Sequence, residues 1–162
     1  MDEHKIYAHV QAVARQFNAW RGTLPSLIEF IRYSMKADAP PADRLDNFLR
    51  RETTQRALIG YEVGFWRATD KTYRLVSLAV PSDPAVAQRR LNYRPLSTNQ
   101  CRWCHIDERS LMSLELKPEL DIHRNLVPAS FLHPVCMHSW LLMRALLDRE
   151  SSKSAKTKES LM

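Results

Sequence analysis

Glycine is scarce in this chain: three residues in 162, against nine prolines. Phosphate-cradling loops need closely spaced glycines, so the Walker and dinucleotide-binding fingerprints are excluded. No Gly-x-Ser-x-Gly nucleophile elbow occurs either. No apolar run approaches the ~18 residues that a membrane-spanning helix requires. The opening stretch, MDEHKIYAHVQAVARQF, is broken by charges where a secretory signal would carry an apolar core. The expectation is a cytoplasmic protein with reduced thiols and no membrane partner. Cysteine is sparse as well. Three cysteines cannot all pair, and in a reducing compartment a cluster of them points to a metal rather than to disulfides.

What is present fits one ordinary domain or two small units. Hydrophobic residues make up 44% and charged residues 26%, the balance of a soluble globular protein. The formal charge is +6, which favours acidic partners such as nucleic acid but does not bear on fold.

Apolar periodicity orders the chain. Ile6, Val10, Val13, Phe17 and Trp20 recur at steps of three and four, one face of a helix over 4–20. A second helix is expected over 24–36, with Leu27, Ile28, Ile31 and Met35 on its stripe, ended by the prolines of ADAPPAD. A third is expected from Asp43 to Leu58, carrying Leu45, Phe48 and Leu49. The period then changes. Segments 61–67 and 72–80, rich in Val, Phe, Trp and Tyr, read as two strands joined by a turn from Ala68 to Lys71. Residues 85–91 suggest a short helix, and a last one runs from Pro134 to about Arg149. The Lys/Ser-rich tail, 151–162, reads as disordered. The fold class is therefore α+β: a helical N-terminal half and β-hairpin over 1–95, then a metal-stapled unit over 96–150.

The most informative segment is Cys101-Arg-Trp-Cys104-His105, followed by His133-Pro-Val-Cys136-Met-His138. A Cys-x-x-Cys turn brings two thiolates to one side of a knuckle, which suits two corners of a tetrahedral zinc site. If His133 precedes the last helix, Pro134 takes the first helical position, where its missing N–H costs nothing. Residues three apart share a helix face, so His133 and Cys136 can converge on one ion. The helix N-terminus also favours a thiolate. The expected ligands are Cys101, Cys104, Cys136 and His133, with His138 or His123 as alternatives to His133.

Over residues 99–149 this pattern resembles a treble-clef zinc finger: a Cys-x-x-Cys knuckle, a hairpin, and a helix whose first turn supplies the remaining ligands. The resemblance implies one structural zinc ion. The chain departs from it in reading His-x-x-Cys where Cys-x-x-Cys is commoner. CRWCH also matches the c-type haem attachment pattern, for which Met112, Met137 or Met143 would be the second axial ligand, but that chemistry requires export.

Asp121-Ile-His123 with Pro128 partly resembles the HNH nuclease pattern. That resemblance implies His123 as general base and His138 as a metal ligand. The chain departs from it in lacking Gly-Gly after Pro128, and only seven residues separate Pro128 from Cys136. His4, His9, Glu52 and Glu62 have no catalytic partner at a suitable spacing. No catalytic residue is assigned.

Two surfaces suggest partners. From Arg67 to Arg109, eight cations face four acids, interleaved with Trp66, Tyr73, Tyr93 and Trp103. Arginine forks suit phosphates, and aromatic rings stack on bases. Arg67, Lys71, Arg74, Arg89, Arg90, Arg94, Arg102 and Trp103 are the candidate contacts to DNA or RNA. In the last helix, Trp140, Met143 and Leu147 form a stripe that Leu142 and Leu146 widen, the face of a core or of a protein partner. The expectation is a nucleic-acid-binding module with structural zinc; the alternative is a protein–protein adaptor, and the third reading an HNH-like metal-dependent nuclease.

Overall fold

In the computed structural model, which describes residues 1–91, 100–109, 112–120 and 124–161, the first helix starts at an acidic cap. The Asp2 carboxylate accepts from the amides of His4 at 3.1 Å and Lys5 at 3.4 Å. Such a cap stabilises a helix by about 1 kcal/mol. Helix α1, Glu3–Phe17, buries Ile6, Val10 and Val13 on one face. The sequence reading carried this helix to Trp20. Instead Asn18 turns the chain with φ 59°, a conformation that asparagine tolerates better than most residues. Trp20 then enters strand β1, Ala19–Gly22.

Thr23 caps α2, Leu24–Met35, with Pro25 in its first turn. Lys36 ends it at φ 56° and a short 3-10 turn follows. The third helix differs from its expected form. It is two helices, α3 (Ala42–Leu49) and α4 (Glu52–Gly60), because Arg51 adopts an extended conformation between them. Apolar periodicity alone does not register one extended residue.

The expected hairpin is present. Strands β2 (Val63–Arg67) and β3 (Tyr73–Ser77) pair antiparallel, with Phe65 opposite Leu75. Lys71, at φ 66°, closes the turn by donating its amide to the Ala68 carbonyl. Strand β1 adds to the other side of β3, placing Trp20 opposite Leu75, so the sheet order is β1-β3-β2. Ile6, Leu27, Ile31, Leu45, Leu49, Leu58, Val63 and Leu75 form a core with no exposed surface. Tyr7 packs against Phe48 and Tyr61, and Phe65 stacks on Tyr73 with ring centroids 5.1 Å apart. His4 and His9 serve this unit structurally, bonding the Tyr61 hydroxyl and the Ser34 hydroxyl.

The chain divides into two units, Met1–Ala79 and Val80–Met162. The division falls near residue 80 rather than near 95, so the helix after residue 80 is grouped with the cysteines. That helix, α5 (Pro84–Leu91), begins with proline after Asp83, whose carboxylate accepts from the Ala85 amide at 2.9 Å. Two nested antiparallel pairs follow the first two cysteines. Strand β4 (Leu114–Leu116) pairs with β7 (Ser130–Leu132), and β5 (Glu119–Leu120) pairs with β6 (Leu126–Val127). The last helix, α6, spans Pro134–Leu161. It runs well past Arg149 into the stretch expected to be disordered. Residues 150–161 contain neither Gly nor Pro, and a Lys153–Glu150 pair three residues apart supports that turn. Mixed helix and antiparallel sheet, with the long helix after the Cys/His cluster, make the class α+β.

Candidate metal centre

The knuckle is built by backbone bonds. The His105 amide donates to the Cys101 carbonyl at 2.9 Å, and the Cys101 amide to the Ile106 carbonyl at 3.0 Å. His105 turns the chain back at φ 64°. The Arg102 amide donates to Phe131 on β7 at 2.8 Å, which anchors the knuckle to the strand that leads into α6. That strand delivers His133 to the start of the helix. The Cys136 amide then donates to the His133 carbonyl at 2.9 Å, placing the Cys136 thiol in the first turn.

These links bring Cys101, Cys104, His133 and Cys136 together. One ligand atom from each lies within 4.8 Å of all the others, and all four residues are buried. The set can hold one metal ion. His133 is oriented for this role. Its Nε2 lies 2.5 Å from the Glu108 carbonyl, and its Nδ1 lies 3.3 Å from Cys104 Sγ. An Nε2–H donated to a backbone carbonyl fixes the tautomer with its lone pair on Nδ1, facing the sulfurs. This is a common arrangement of metal-binding imidazoles. The alternative ligand His138 is exposed on α6, one residue beyond Met137. His123 lies outside the described residues.

Without an ion the four groups share their protons unevenly. Burial pushes the Cys101 thiol up, but the hydrogen bonds from Cys104, Cys136 and His133 together outweigh it and leave the thiol below its ordinary range. Burial and the bond to Cys101 raise Cys104. The bonds to Cys101 and Cys104, together with burial, raise Cys136. A divalent ion would hold all three sulfurs as thiolates and release the protons they carry.

Two residues beside the ligands do structural work that their sequence context did not reveal. Trp103, inside the knuckle, is fully buried, and Arg102 is 1% exposed. Neither is placed to contact DNA or RNA, the role the sequence suggests for both. Arg102 instead donates Nε to Ser130 Oγ and Nη2 to the Pro128 carbonyl, each at 2.9 Å. It also pairs with Glu119 at 3.6 Å. Arg144 on α6 donates to the same carboxylate at 2.9 Å and 3.1 Å.

The other candidate nucleic-acid contacts are scattered. Arg67 and Lys71 are exposed at the end of the β2–β3 hairpin, and Arg89 is exposed on α5. Arg74 is buried and engages Asp70 and Thr72. Arg90 is half-buried against Trp103. Arg94 lies outside the described residues. The expected stripe of the last helix is buried at Trp140, Met143 and Leu147, while Leu142 is exposed. Its spacing continues back to Cys136, so the same helix face carries ligand and core.

No protein-family model, curated protein or solved structure matches the chain.

Proposed function

We propose that the chain is a non-catalytic binding module held together by one structural zinc ion in a treble-clef-like unit. The observation that carries this reading is the convergence of three buried thiols and a tautomerically fixed imidazole. A tetrahedron with Zn–S bonds of about 2.3 Å separates its corners by about 3.8 Å, a spacing that this donor set can reach with small side-chain adjustments. Thiolate with imidazole is a zinc donor set. Knuckle, nested strand pairs and a helix bearing Cys136 follow in the order of a treble clef. Four protein ligands leave no open coordination position, so the metal's role is to fold rather than to activate water.

The partner proposed is nucleic acid. The support is the net charge of +6 and the exposed Arg67, Lys71 and Arg89, with Lys153, Lys156 and Lys158 exposed along the end of α6. Elemental analysis of purified protein, with a salt titration of binding to mixed DNA and RNA, tests both parts. One zinc per chain and affinity that falls steeply with salt are expected. A different metal, or none, overturns the zinc assignment.

A second reading, a protein adaptor, is favoured by exposed leucines in the zinc unit. Leu120 and Leu126 face each other across β5 and β6, each 64% exposed, and Leu141 and Leu142 are exposed on α6. Zinc without nucleic-acid binding would select it.

A further inference from the structure

Arg90 packs against the Cys/His cluster through Trp103. It sits at the end of α5, half-buried, with its guanidinium carbon 3.7 Å from the centroid of the Trp103 ring. Its Nη2 donates to the Trp103 carbonyl at 3.0 Å. Trp103 is itself fully buried between two metal-ligand cysteines, so the guanidinium is docked on the knuckle from outside the ligand set. A stacked, hydrogen-bonded guanidinium is held in place in a way that a flexible surface arginine is not.

Charge explains what such a cation does there. A divalent ion with three thiolates and a neutral imidazole carries one net negative charge. Buried net charge is costly unless an opposite charge lies close by. A cation seated beside the ligands therefore favours the state that carries that negative charge.

We propose that Arg90 is the built-in counter-cation of the metal centre, neutralising the loaded three-thiolate site through its seat on Trp103 and coupling the docking of α5 to metal uptake. This rests on the zinc reading of the same site. Arg90 is a positioning residue, and it touches no ligand position of the ion.

The test compares zinc affinity in the full chain, by competition with a chromophoric chelator at fixed pH, for wild type, Arg90→Met and Arg90→Lys. Loss of a partner outside the ligand set weakens metal binding by about 10–100-fold, and that is the loss expected for Arg90→Met. Arg90→Lys, which keeps the charge but not the planar stack, is expected to recover most of it. Equal weakening in both variants would show that packing rather than charge matters, and would overturn the proposal. Unchanged affinity in Arg90→Met would overturn it as well. If Arg90→Met does not fold, Arg90→Gln takes its place, since glutamine keeps a donor and drops the charge. Wild type that takes up no zinc refutes the metal reading itself. Zinc-loaded wild type with an indifferent Arg90 refutes only the counter-cation.

Discussion

Arg102 and Ser130, 28 residues apart in sequence, meet at 2.9 Å between Nε and the hydroxyl oxygen. The bond joins the knuckle to β7, and the same guanidinium reaches the Pro128 carbonyl and Glu119. Glu119 in turn holds Arg144 of α6. Strand, knuckle and helix are thus tied by one buried cation independently of any metal. Arg102→Met removes the cation and leaves the buried Ser130 hydroxyl and the part-buried Pro128 carbonyl without this donor. A loss of about 2–4 kcal/mol in the C-terminal unit is expected. Urea unfolding of the metal-loaded protein, followed by circular dichroism, would read it as a lower midpoint. An unchanged midpoint would mean that water replaces the guanidinium.

The ligand set makes a second prediction. Cys101→Ala or Cys136→Ala should abolish stoichiometric metal and destabilise the unit that follows residue 80, because the ion's binding energy is part of the folding energy. His133→Ala should weaken zinc far more than His138→Ala, since His133 is buried among the sulfurs and His138 is exposed. Metal-to-protein ratios after gel filtration decide it. The reverse order would transfer the fourth ligand to His138.

The Cys/His cluster was legible from sequence because its signals are local. Cys-x-x-Cys implies a turn, and His133-Pro134 before Cys136 implies a helix start. The hairpin at 63–77 was legible for the same reason. What sequence did not show depends on one residue's backbone or on distant partners. Asn18 ends α1 early and hands Trp20 to a strand. Arg51 divides one expected helix in two. Arg102 looks like a ligand-facing residue until Ser130, Pro128 and Glu119 arrive from elsewhere in the chain, and Trp103 until Arg90 does. Charge counts along a sequence cannot distinguish a solvated arginine from a buried one, and Arg74 and Arg102 are both buried.

Gly22 offers a test of the strand that periodicity missed. A Cβ built there would lie 2.4 Å from Trp20 Cζ2 and 2.8 Å from Cη2. Both residues point to one face of β1, as alternate strand positions do. The Trp20 ring is partly buried against the core, so moving aside would disturb that packing. Gly22→Ala should therefore cost about 1–3 kcal/mol through overpacking. A lowered thermal midpoint is the expected result. Stabilisation instead, from the reduced freedom of the unfolded chain, would show that the ring is free to shift.

The turn of the hairpin carries a pH dependence whose sign can be worked out. Asp70 accepts from the Thr72 hydroxyl at 2.6 Å and the Thr72 amide at 3.0 Å. Arg21 and Arg74 reach the same carboxylate at 3.0 Å and 3.4 Å. The two Thr72 bonds hold its carboxyl well below the usual carboxylate range; burial opposes them, and Arg74 adds a smaller lowering influence. A carboxyl depressed in the folded state binds fewer protons there than in the unfolded chain. Its contribution is complete above the unfolded value of 3.8 and is lost as pH falls toward the folded one. Asp70→Asn should therefore unfold at lower urea than wild type near neutral pH. The two midpoints should converge as the medium is acidified below about pH 4. Urea unfolding at several pH values, followed by the fluorescence of the N-terminal tryptophans, provides the comparison. A gap that stays constant into strong acid would assign the loss to the shape of the side chain rather than to its charge.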